Sequence, residues 1–425
     1  MFDVSVPEHF QKLPIISIAR KNGGVFIDGD WIESKDISDN GIRYLTTGNV
    51  GLGEFKEQGS SYITEDTFTK LRCTEVLPGD ILVSRLNVPI GRACLVPDLG
   101  ERMVTSVDNV IIRPCDEFNR KFLVYLFSTK HHIEMMNNLA RGTTMLRVSR
   151  SALGRVRVQV PHYDEQTEIA RFLDCETGLI DGLIEKKTRF IALLKEKRAA
   201  VITHAVTKGI DPDVPMKDSG VDWLGRVPAH WDVVPPTALF TESKERARDG
   251  DQMLSATQKY GVIPLAEYEA LEQRQVTMAV VNLDKRMHVE VGDFVISMRS
   301  MDGGLERARA VGSVRSSYSV LKPGPDVEGR FYGALMKSSL YIQALRLTSN
   351  FIRDGQDLNF GHVRKVKLPK PDLREQAAIA DHIEAETARI DGLITLTERS
   401  IDLLREKRAA LITAAVTGKI DVRAA

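Results

Sequence analysis

Two segments with regular apolar spacing are the clearest feature of the hydrophobic pattern. Within residues 161–211 and again within 371–421, apolar side chains recur at steps of three or four residues, or at multiples of those steps. This spacing lines one face of a helix with apolar side chains. Each segment is therefore predicted to be one long amphipathic helix. The residues predicted to pack along the two stripes are Ile169, Leu173, Ile180, Leu183, Leu194, Ile379, Ile383, Ile390, Leu393 and Leu404.

The two segments are copies of each other. Aligned without a gap at an offset of 210 residues, they are identical at 28 of 51 positions. This period is far too long for a solenoid, so each copy closes one half of the molecule. Because near-identical helices imply equivalent surroundings, we predict an antiparallel coiled coil with a pseudo-twofold internal repeat. The alternative, in which each helix lies on a globular core as an ordinary amphipathic helix, stays open.

The region before each helix mixes helical and strand patterns. GDILVSR (79–85) corresponds to GDFVISMR (292–299), and both predict a turn that leads into a buried strand. FLVYLFS (122–128) corresponds to FYGALMKS (331–338), and both predict the start of a helix. The expected fold class is α+β, with two mixed α/β heads alternating with the two long helices. The predicted domains are a first head at 1–160, a first helix at 161–211, a second head at 212–370, and a second helix with its tail at 371–425.

Composition narrows the class of protein. The 425 residues are 43% hydrophobic and 27% charged, which is typical of a globular chain. No apolar run approaches the ~18 residues of a membrane span, and the first residues lack the pattern of a signal peptide. We expect a cytoplasmic protein. Phosphate-loop, dinucleotide-binding, zinc-protease and nucleophile-elbow motifs are absent, so we predict no catalytic residue, no metal site and no cofactor bound by this chain.

The charge balance constrains any binding to nucleic acid. Lys and Arg number 58, and so do Asp and Glu, which gives no net charge. A protein that binds DNA tightly by itself is usually basic, because neutralised phosphates supply most of its affinity. DNA binding by this chain must therefore come from local patches or from partner subunits.

One basic patch stands out in the first half. Residues 141–157 contain five arginines and no acidic residue. Arg and Lys neutralise phosphates, and Arg, Gln and Asn also pair with base edges in the major groove. A charged face that only meets solvent is the alternative. The candidates for DNA binding are Arg141, Arg147, Arg150, Arg155 and Arg157, with Arg353, Gln356, Lys365 and Lys367 at the corresponding place in the second half.

Several loops next to predicted strands carry further candidates. Their polar residues are suited to base contacts, although the same residue types also form turns. For any one of these loop residues, turn formation is at least as good an explanation as base contact. The loop candidates are Thr47, Asn49, Arg85 and Asn87 in the first head and Ser255, Gln258, Lys259, Tyr260 and Arg299 in the second.

Two motifs and the overall layout point to a known family. DSGVDWLGRVPAHW (218–231) opens the second head, and GVIP (261–264) with GDFVISMRSMDGGLE (292–306) continues it. The helix repeats at 165–211 and 375–421 close the two halves. With these features, essentially the whole chain resembles the specificity subunit of type I restriction-modification systems.

The resemblance implies a specific division of labour. Each head would be a target recognition domain that reads one half of an asymmetric, bipartite DNA site. The helix pair would set the spacer between the half-sites and dock two modification (methyltransferase) subunits. Adenine-N6 methylation with S-adenosylmethionine, and ATP- and Mg-dependent cleavage in restriction subunits, would lie in those partners. A competing hypothesis is a coiled-coil interaction scaffold with peptide-binding heads and no role on DNA.

Overall fold

The computed structural model describes residues 6–20, 23–142, 145–276, 285–297, 300–348 and 358–422. The chain divides into two compact units. The first comprises Met1–Thr188 with Arg399–Ala425, and the second comprises Arg189–Glu398. Each unit thus contains one head and one end of each long helix. These units cut across the predicted domain boundaries, because the helix ends share hydrophobic cores with the heads.

The described part of the first unit contains nine strands and four short α-helices, together with the start of one long helix and the end of the other. Its strands are β1 (Gln11–Pro14), β2 (Val25–Asp28), β3 (Ile42–Leu45), β4 (Tyr62–Ile63), β5 (Ile81–Ser84), β6 (Ala93–Leu95), β7 (Met103–Thr105), β8 (Asn109–Arg113) and β9 (Arg157–Val160). Its helices are α1 (Glu65–Leu71), α2 (Arg120–Phe127), α3 (Lys130–Leu139), α4 (Arg150–Arg155) and the long α5 (Tyr163–Lys208).

The main sheet of the first unit contains a fully buried inner strand, β5. The main sheet has the strand order β2-β8-β5-β6, and all its pairings are antiparallel. All four residues of β5 are buried, which explains the continuous apolar run after Gly79 and Asp80. A second sheet, β4-β3-β7, contains the parallel pair β3 and β7, and β1 pairs with β9 just before the long helix.

The second unit contains the remaining elements. Its strands are β10 (Met216–Asp218), β11 (Arg226–Pro228), β12 (Asp232–Val234), β13 (Phe240–Ser243), β14 (Leu254–Thr257), β15 (Gly261–Pro264), β16 (Met287–Val289), β17 (Phe294–Ile296), β18 (Glu306–Arg307), β19 (Gly312–Val314), β20 (Ser319–Pro323) and β21 (Leu368–Lys370). Its helices are α6 (Leu265–Glu272), α7 (Ser300–Gly303), α8 (Gly329–Leu335), α9 (Ser339–Leu347), α10 (Phe360–Val363) and the long α11 (Leu373–Val416).

The second head repeats the plan of the first. Its main sheet has the order β13-β20-β17-β18, again antiparallel, and β12 pairs with β21 just before α11. The two GD-containing sequences form the equivalent central strands β5 and β17, and the two predicted helix starts form α2 and α8. The predicted α+β class, with two mixed heads that alternate with two long helices, is confirmed.

A glutamine at the same repeat position fixes the start of each long helix to its head. In the first unit the Gln166 side chain accepts a hydrogen bond from the Asn119 amide at 2.8 Å and donates to the Pro161 carbonyl at 2.9 Å. In the second unit Gln376 makes the equivalent bonds to Glu328 and Pro371 at the same distances. Both glutamines are buried. The repeated EQ of the sequence is therefore a structural joint between head and helix.

The apolar stripe of each long helix follows a heptad pattern. Buried and half-buried positions alternate in steps of four and three residues, as expected for a helix that packs along a coiled-coil seam. Within α5 these positions are Leu173, Thr177, Ile180, Ile184, Lys187, Ile191, Leu194 and Arg198. Within α11 they are Ile383, Thr387, Ile390, Ile394, Thr397, Ile401, Leu404 and Arg408.

Two of the ten predicted stripe residues are wrong. Leu183 is 46% exposed and Leu393 is 41% exposed, and they occupy the same position in the two repeats. A helix places residues at both i+3 and i+4 near the same face, so the sequence alone does not select between Leu183 and its neighbour Ile184. In the structure, Ile184 lies at the coiled-coil seam in place of Leu183. Of the other eight predicted residues, seven are buried and Leu404 is half-buried.

Each unit contains an antiparallel part of the helix pair. In the first unit the start of α5 and the end of α11 share one hydrophobic core, and Arg408 pairs with Asp181 at 2.9 Å. In the second unit the end of α5 and the start of α11 share another core, and Arg198 pairs with Asp391 at 2.9 Å. The predicted antiparallel pairing is thus present in both units. Within the part of the chain described, no helix is both long and apolar enough to cross a membrane.

Candidate nucleic-acid interface

The first predicted loop of the first head is a tight turn stabilised by a buried asparagine. The Asn49 side chain accepts from the Thr46 amide at 2.8 Å and donates to the carbonyls of Lys56 and Gln58, both at 2.9 Å. With 2% exposure and these bonds, Asn49 shapes the loop and does not present its amide to a base. Its predicted base contact is corrected to a structural role. Thr47, next to it, is half-buried at the surface of the turn.

Arg85 is also a structural residue. Its guanidinium is 5% exposed, donates to the carbonyls of Val107 and Val148, and pairs with Asp28 at 3.0 Å. Burial lowers the pKa of Arg85, and the Asp28 carboxylate partly offsets that effect. The predicted DNA contact for Arg85 is corrected, because the side chain lies inside the head. Asn87, two residues later, is exposed and adopts a left-handed conformation with φ of 62°.

In the basic stretch 141–157, two arginines joined by backbone hydrogen bonds precede a helix. Arg141 and Arg147 exchange both backbone hydrogen bonds at 2.9 Å, and α4 begins at Arg150. The sequence has no acid in this stretch, but other elements supply two. Arg147 pairs with Asp108 at 2.9 Å, and Arg150 lies 3.8 Å from Asp28.

The free positive charge of this patch therefore lies mainly on three arginines. Arg141, Arg155 and Arg157 are exposed, and Arg141 donates to the carbonyls of Asn138 and Ala140. Arg155 ends α4 and Arg157 begins β9, so rigid elements hold both side chains at the surface. These positions can contact phosphate without breaking an ion pair inside the head.

The predicted loop of the second head is a hairpin between β14 and β15. Ser255 lies within β14 and is half-buried, while Gln258 and Lys259 are exposed at the turn. Tyr260 donates its hydroxyl to Glu272 at 3.0 Å, and the Lys259 ammonium lies 4.7 Å from the centre of the Tyr260 ring. The hairpin thus presents an amide and a cation to the outside.

The remaining candidates divide into two groups. Arg299, Arg353 and Gln356 lie outside the residues that the structure describes, so their predicted roles stay predictions. Lys365 and Lys367 are exposed between α10 and β21. They precede α11 in the same way that Arg155 and Arg157 precede α5.

Sequence reasoning missed two cations that connect these loops to their heads. Arg92 donates to backbone carbonyls of both predicted loops of the first head. In the second head the Lys337 ammonium donates to the Gln258 carbonyl at 2.8 Å and pairs with Glu306 at 2.6 Å. Glu306 is 2% exposed, and burial raises the pKa of its carboxyl group. No pattern in the sequence distinguishes either cation from an ordinary surface residue.

Within the described residues, no group of three or more His, Cys, Asp or Glu side chains is arranged to hold a metal ion. The exposed polar and basic groups at loop tips are suited to contacts with a large anionic surface.

The comparisons with known proteins point in the same direction. Residues 18–188 match the family model described as the type I restriction modification DNA specificity domain. The chain is 22% identical over 371 residues to the putative type I restriction enzyme MjaX specificity subunit of Methanocaldococcus jannaschii, covering 85% of this chain and 82% of that protein. It is 20% identical over 440 residues to the EcoBI specificity subunit of Escherichia coli, covering 98% and 87%.

This chain is similar to type I restriction specificity subunits. The fold agrees with solved structures at 13% identity. The HsdS subunit from Thermoanaerobacter tengcongensis aligns with a TM-score of 0.54 over 99% of both chains. A chain from a study of complex assembly and conformational transition in the type I R-M system aligns with a TM-score of 0.69, over 98% of this chain and all of that chain. The chain therefore shares its fold with these two solved structures.

Proposed function

We propose that this chain is the non-catalytic DNA-recognition subunit of a type I restriction-modification complex. Each head reads one half of an asymmetric bipartite site in double-stranded DNA. The long helices set the spacer between the half-sites and dock two modification subunits. Restriction subunits complete the complex.

The observation that carries this proposal is that the two heads have the same fold but different exposed loops. The main sheets have the same strand order, and the same glutamine joint fixes each long helix. The exposed tips differ in chemistry: Asn87 and arginines in the first head, Gln258 and Lys259 in the second. Equivalent scaffolds with unlike tips are suited to two unlike half-sites.

The helix pair supports the spacer role. The helix α5 has 46 residues and α11 has 44, so each is about 65 to 70 Å long at 1.5 Å per residue. Ion pairs at equivalent repeat positions, Asp181 with Arg408 and Asp391 with Arg198, set the register in both units. A registered coiled coil has a fixed length, which a device that measures DNA spacing requires.

Catalysis is assigned to the partners in this proposal. S-adenosylmethionine serves adenine-N6 methylation on the modification subunits, and ATP with Mg serves the restriction subunits. This chain contributes the sequence readout, and its balanced charge fits a protein that closes around DNA together with others.

The test is to map N6-methyladenine in the source genome with the gene intact and deleted. A bipartite motif with a fixed gap, lost on deletion, supports the proposal. Complete absence of methylation that depends on this chain would contradict it and favour the peptide-binding scaffold. Purified chain shown to be free of partners should neither methylate DNA, hydrolyse ATP nor cut DNA.

A further inference from the structure

One arginine of the first head connects two separate loops through backbone hydrogen bonds. The Arg92 guanidinium donates to the Val50 carbonyl at 2.7 Å and to the Thr47 carbonyl at 2.9 Å. On its other side it donates to the carbonyls of Asn87 at 2.9 Å, Pro89 at 3.1 Å and Leu86 at 3.3 Å. Five carbonyls from two loops therefore converge on one side chain.

The chemistry of this contact requires the guanidinium fork. Arginine has five N–H donors in a fixed plane, whereas lysine has three donors on one nitrogen. Among the described residues, no carboxylate forms an ion pair with Arg92, and burial lowers the pKa of the group. Its donors are directed to the protein backbone. Arg92 is thus not placed to neutralise phosphate, unlike the exposed arginines of the same head.

The turn that Arg92 holds presents two exposed side chains. Asn87 is exposed at φ of 62°, in the left-handed region that Asn adopts more readily than most residues. Val88 follows it and is 63% exposed. Arg92 bonds to the carbonyls on both sides of Val88, so the turn cannot tilt without breaking those bonds. An amide beside an apolar side chain is a combination that reads adenine edges and thymine methyl groups.

We propose that Arg92 is a positioning residue for recognition of the first half-site. It fixes the Leu86–Pro89 turn against the Thr47–Asn49 turn, so that Asn87 and Val88 meet the bases in one orientation. This inference rests on the proposed function. It adds a residue that touches no base and controls which bases are accepted in one half of the site.

The experiment maps the methylated motif produced by the full complex carrying Arg92→Met, Arg92→Lys or Asn87→Ala. We expect both Arg92 variants to relax the first half-site at the positions that Asn87→Ala affects, with discrimination falling by about tenfold there. The second half-site and the spacer should stay as in the wild type, which provides an internal control. Arg102→Met is the matched control, because Arg102 lies in the same unit and pairs on the surface with Glu65 and Glu75.

The outcomes separate the possible roles of Arg92. An unchanged motif in either assembled Arg92 variant would overturn the inference, and so would restoration by lysine, which would indicate a role of charge alone. Equal loss of methylation at every position, or failure of both variants to assemble, would assign Arg92 to folding and also overturn it. Absence of a bipartite motif in the wild type would instead contradict the proposed function.

Discussion

Arg85 and Arg155 belong to the same head, but their guanidinium groups have opposite surroundings. Arg85 is 5% exposed and paired with Asp28, whereas Arg155 is exposed at the end of α4. Without Arg85, the Asp28 carboxylate keeps only the more distant Arg150 at 3.8 Å, and the Val107 and Val148 carbonyls lose their donor. Arg85→Ala should therefore destabilise the chain by about 3 kcal/mol. Arg155→Ala should leave stability unchanged and lower the salt dependence of DNA binding by about one unit of slope. Thermal melting and binding titrations of the assembled complex at several salt concentrations measure both effects.

The reverse result would contradict the roles assigned to these two arginines. If Arg85→Ala lowered the salt slope and kept its melting temperature, Arg85 would be a DNA contact. If no arginine from 141 to 157 changed the slope, the patch would be a solvated face and not part of the interface.

His288 lies between two carboxylates in the second unit. The buried ring lies 2.8 Å from Asp251 through Nδ1 and 2.9 Å from Glu290 through Nε2, and only the imidazolium form can donate to both carboxylates. Burial, the largest single effect, lowers the His288 pKa, but the bonds to Glu290 and Asp251 outweigh it and the net pKa is raised. The carboxyl pKa values of Asp251 and Glu290 are lowered.

A raised histidine pKa contributes stability that is complete below the unfolded value of about 6.5 and is lost as pH rises through the folded value. We therefore expect the melting temperature of the second unit to fall as the pH rises above about 6.5 and through the raised His288 pKa. In His288→Gln the fall should disappear, and the protein should be less stable at pH 6.5. Calorimetry across this range tests the expectation, and a wild-type curve parallel to that of the variant would contradict it.

The long helices were predictable in kind and in extent. Each helix starts two residues after the predicted segment does, and the two helices end three and five residues before the predicted ends. The agreement is close because a helical stripe and a late cluster of basic residues are local signals. The seam itself was less predictable. Leu183 and Ile184 are both apolar, and only the packing partner decides which one is buried.

The loops show where sequence reasoning fails for a physical reason. Asn49 and Asn87 are the same residue type in similar loops, yet one bonds to its own backbone and the other is exposed. Arg147 and Arg150 look uncompensated in sequence, but Asp108 and Asp28 approach them from other elements. These differences arise from contacts between residues far apart in the sequence. Residue spacing along the chain therefore does not predict them.

The register of the helix pair suggests a sharp test of the spacer role. The pairs Asp181 with Arg408 and Arg198 with Asp391 place the junction after Ile184 opposite the junction after Leu404. Seven residues inserted at both junctions would add one heptad to each helix and keep the seam. Each helix would lengthen by about 10 Å, and the spacer in the methylated motif should grow by about three base pairs.

Both half-site sequences should be unaffected by the double insertion. A four-residue insertion after Ile184 alone is the control, because it shifts the heptad and the register of one helix only, and we expect it to abolish methylation. Unchanged spacing with altered half-sites in the double insertion would show that the helices do not measure the DNA.

At the level of the whole molecule, the repeated helices expose matching leucines. Leu193 is 54% exposed and Leu403 is 52% exposed, and they occupy the same repeat position away from the seam. Two equivalent apolar sites on one chain are suited to two copies of a partner. We expect Leu193→Asp with Leu403→Asp to prevent copurification of the modification subunits while the melting temperature stays the same.

Leu347→Asp is the control for this prediction. Leu347 is 82% exposed at the end of α9 in the second head, where no docking is proposed. Normal assembly of the Leu193 and Leu403 double variant, or equal loss in the Leu347 variant, would place the docking surface elsewhere.

Each long helix carries both partners of the seam ion pairs, since Asp181 corresponds to Asp391 and Arg198 to Arg408. The residues of α11 that complete the first core also recur in α5: Ile412, Ala415 and Val416 correspond to Ile202, Ala205 and Val206. A fragment ending at Asp211 is thus complementary to a second copy of itself, as an isologous interface requires.

Light scattering of this fragment should show a dimer. Asp181→Arg should weaken the dimer by placing like charges together, and adding Arg198→Asp should restore it; a monomeric wild-type fragment would contradict this. Such a dimer would carry two copies of the first head and recognise a palindrome. The asymmetry of the proposed target would then reside in the heads alone, and the seam would accept any pair of heads that end in this helix.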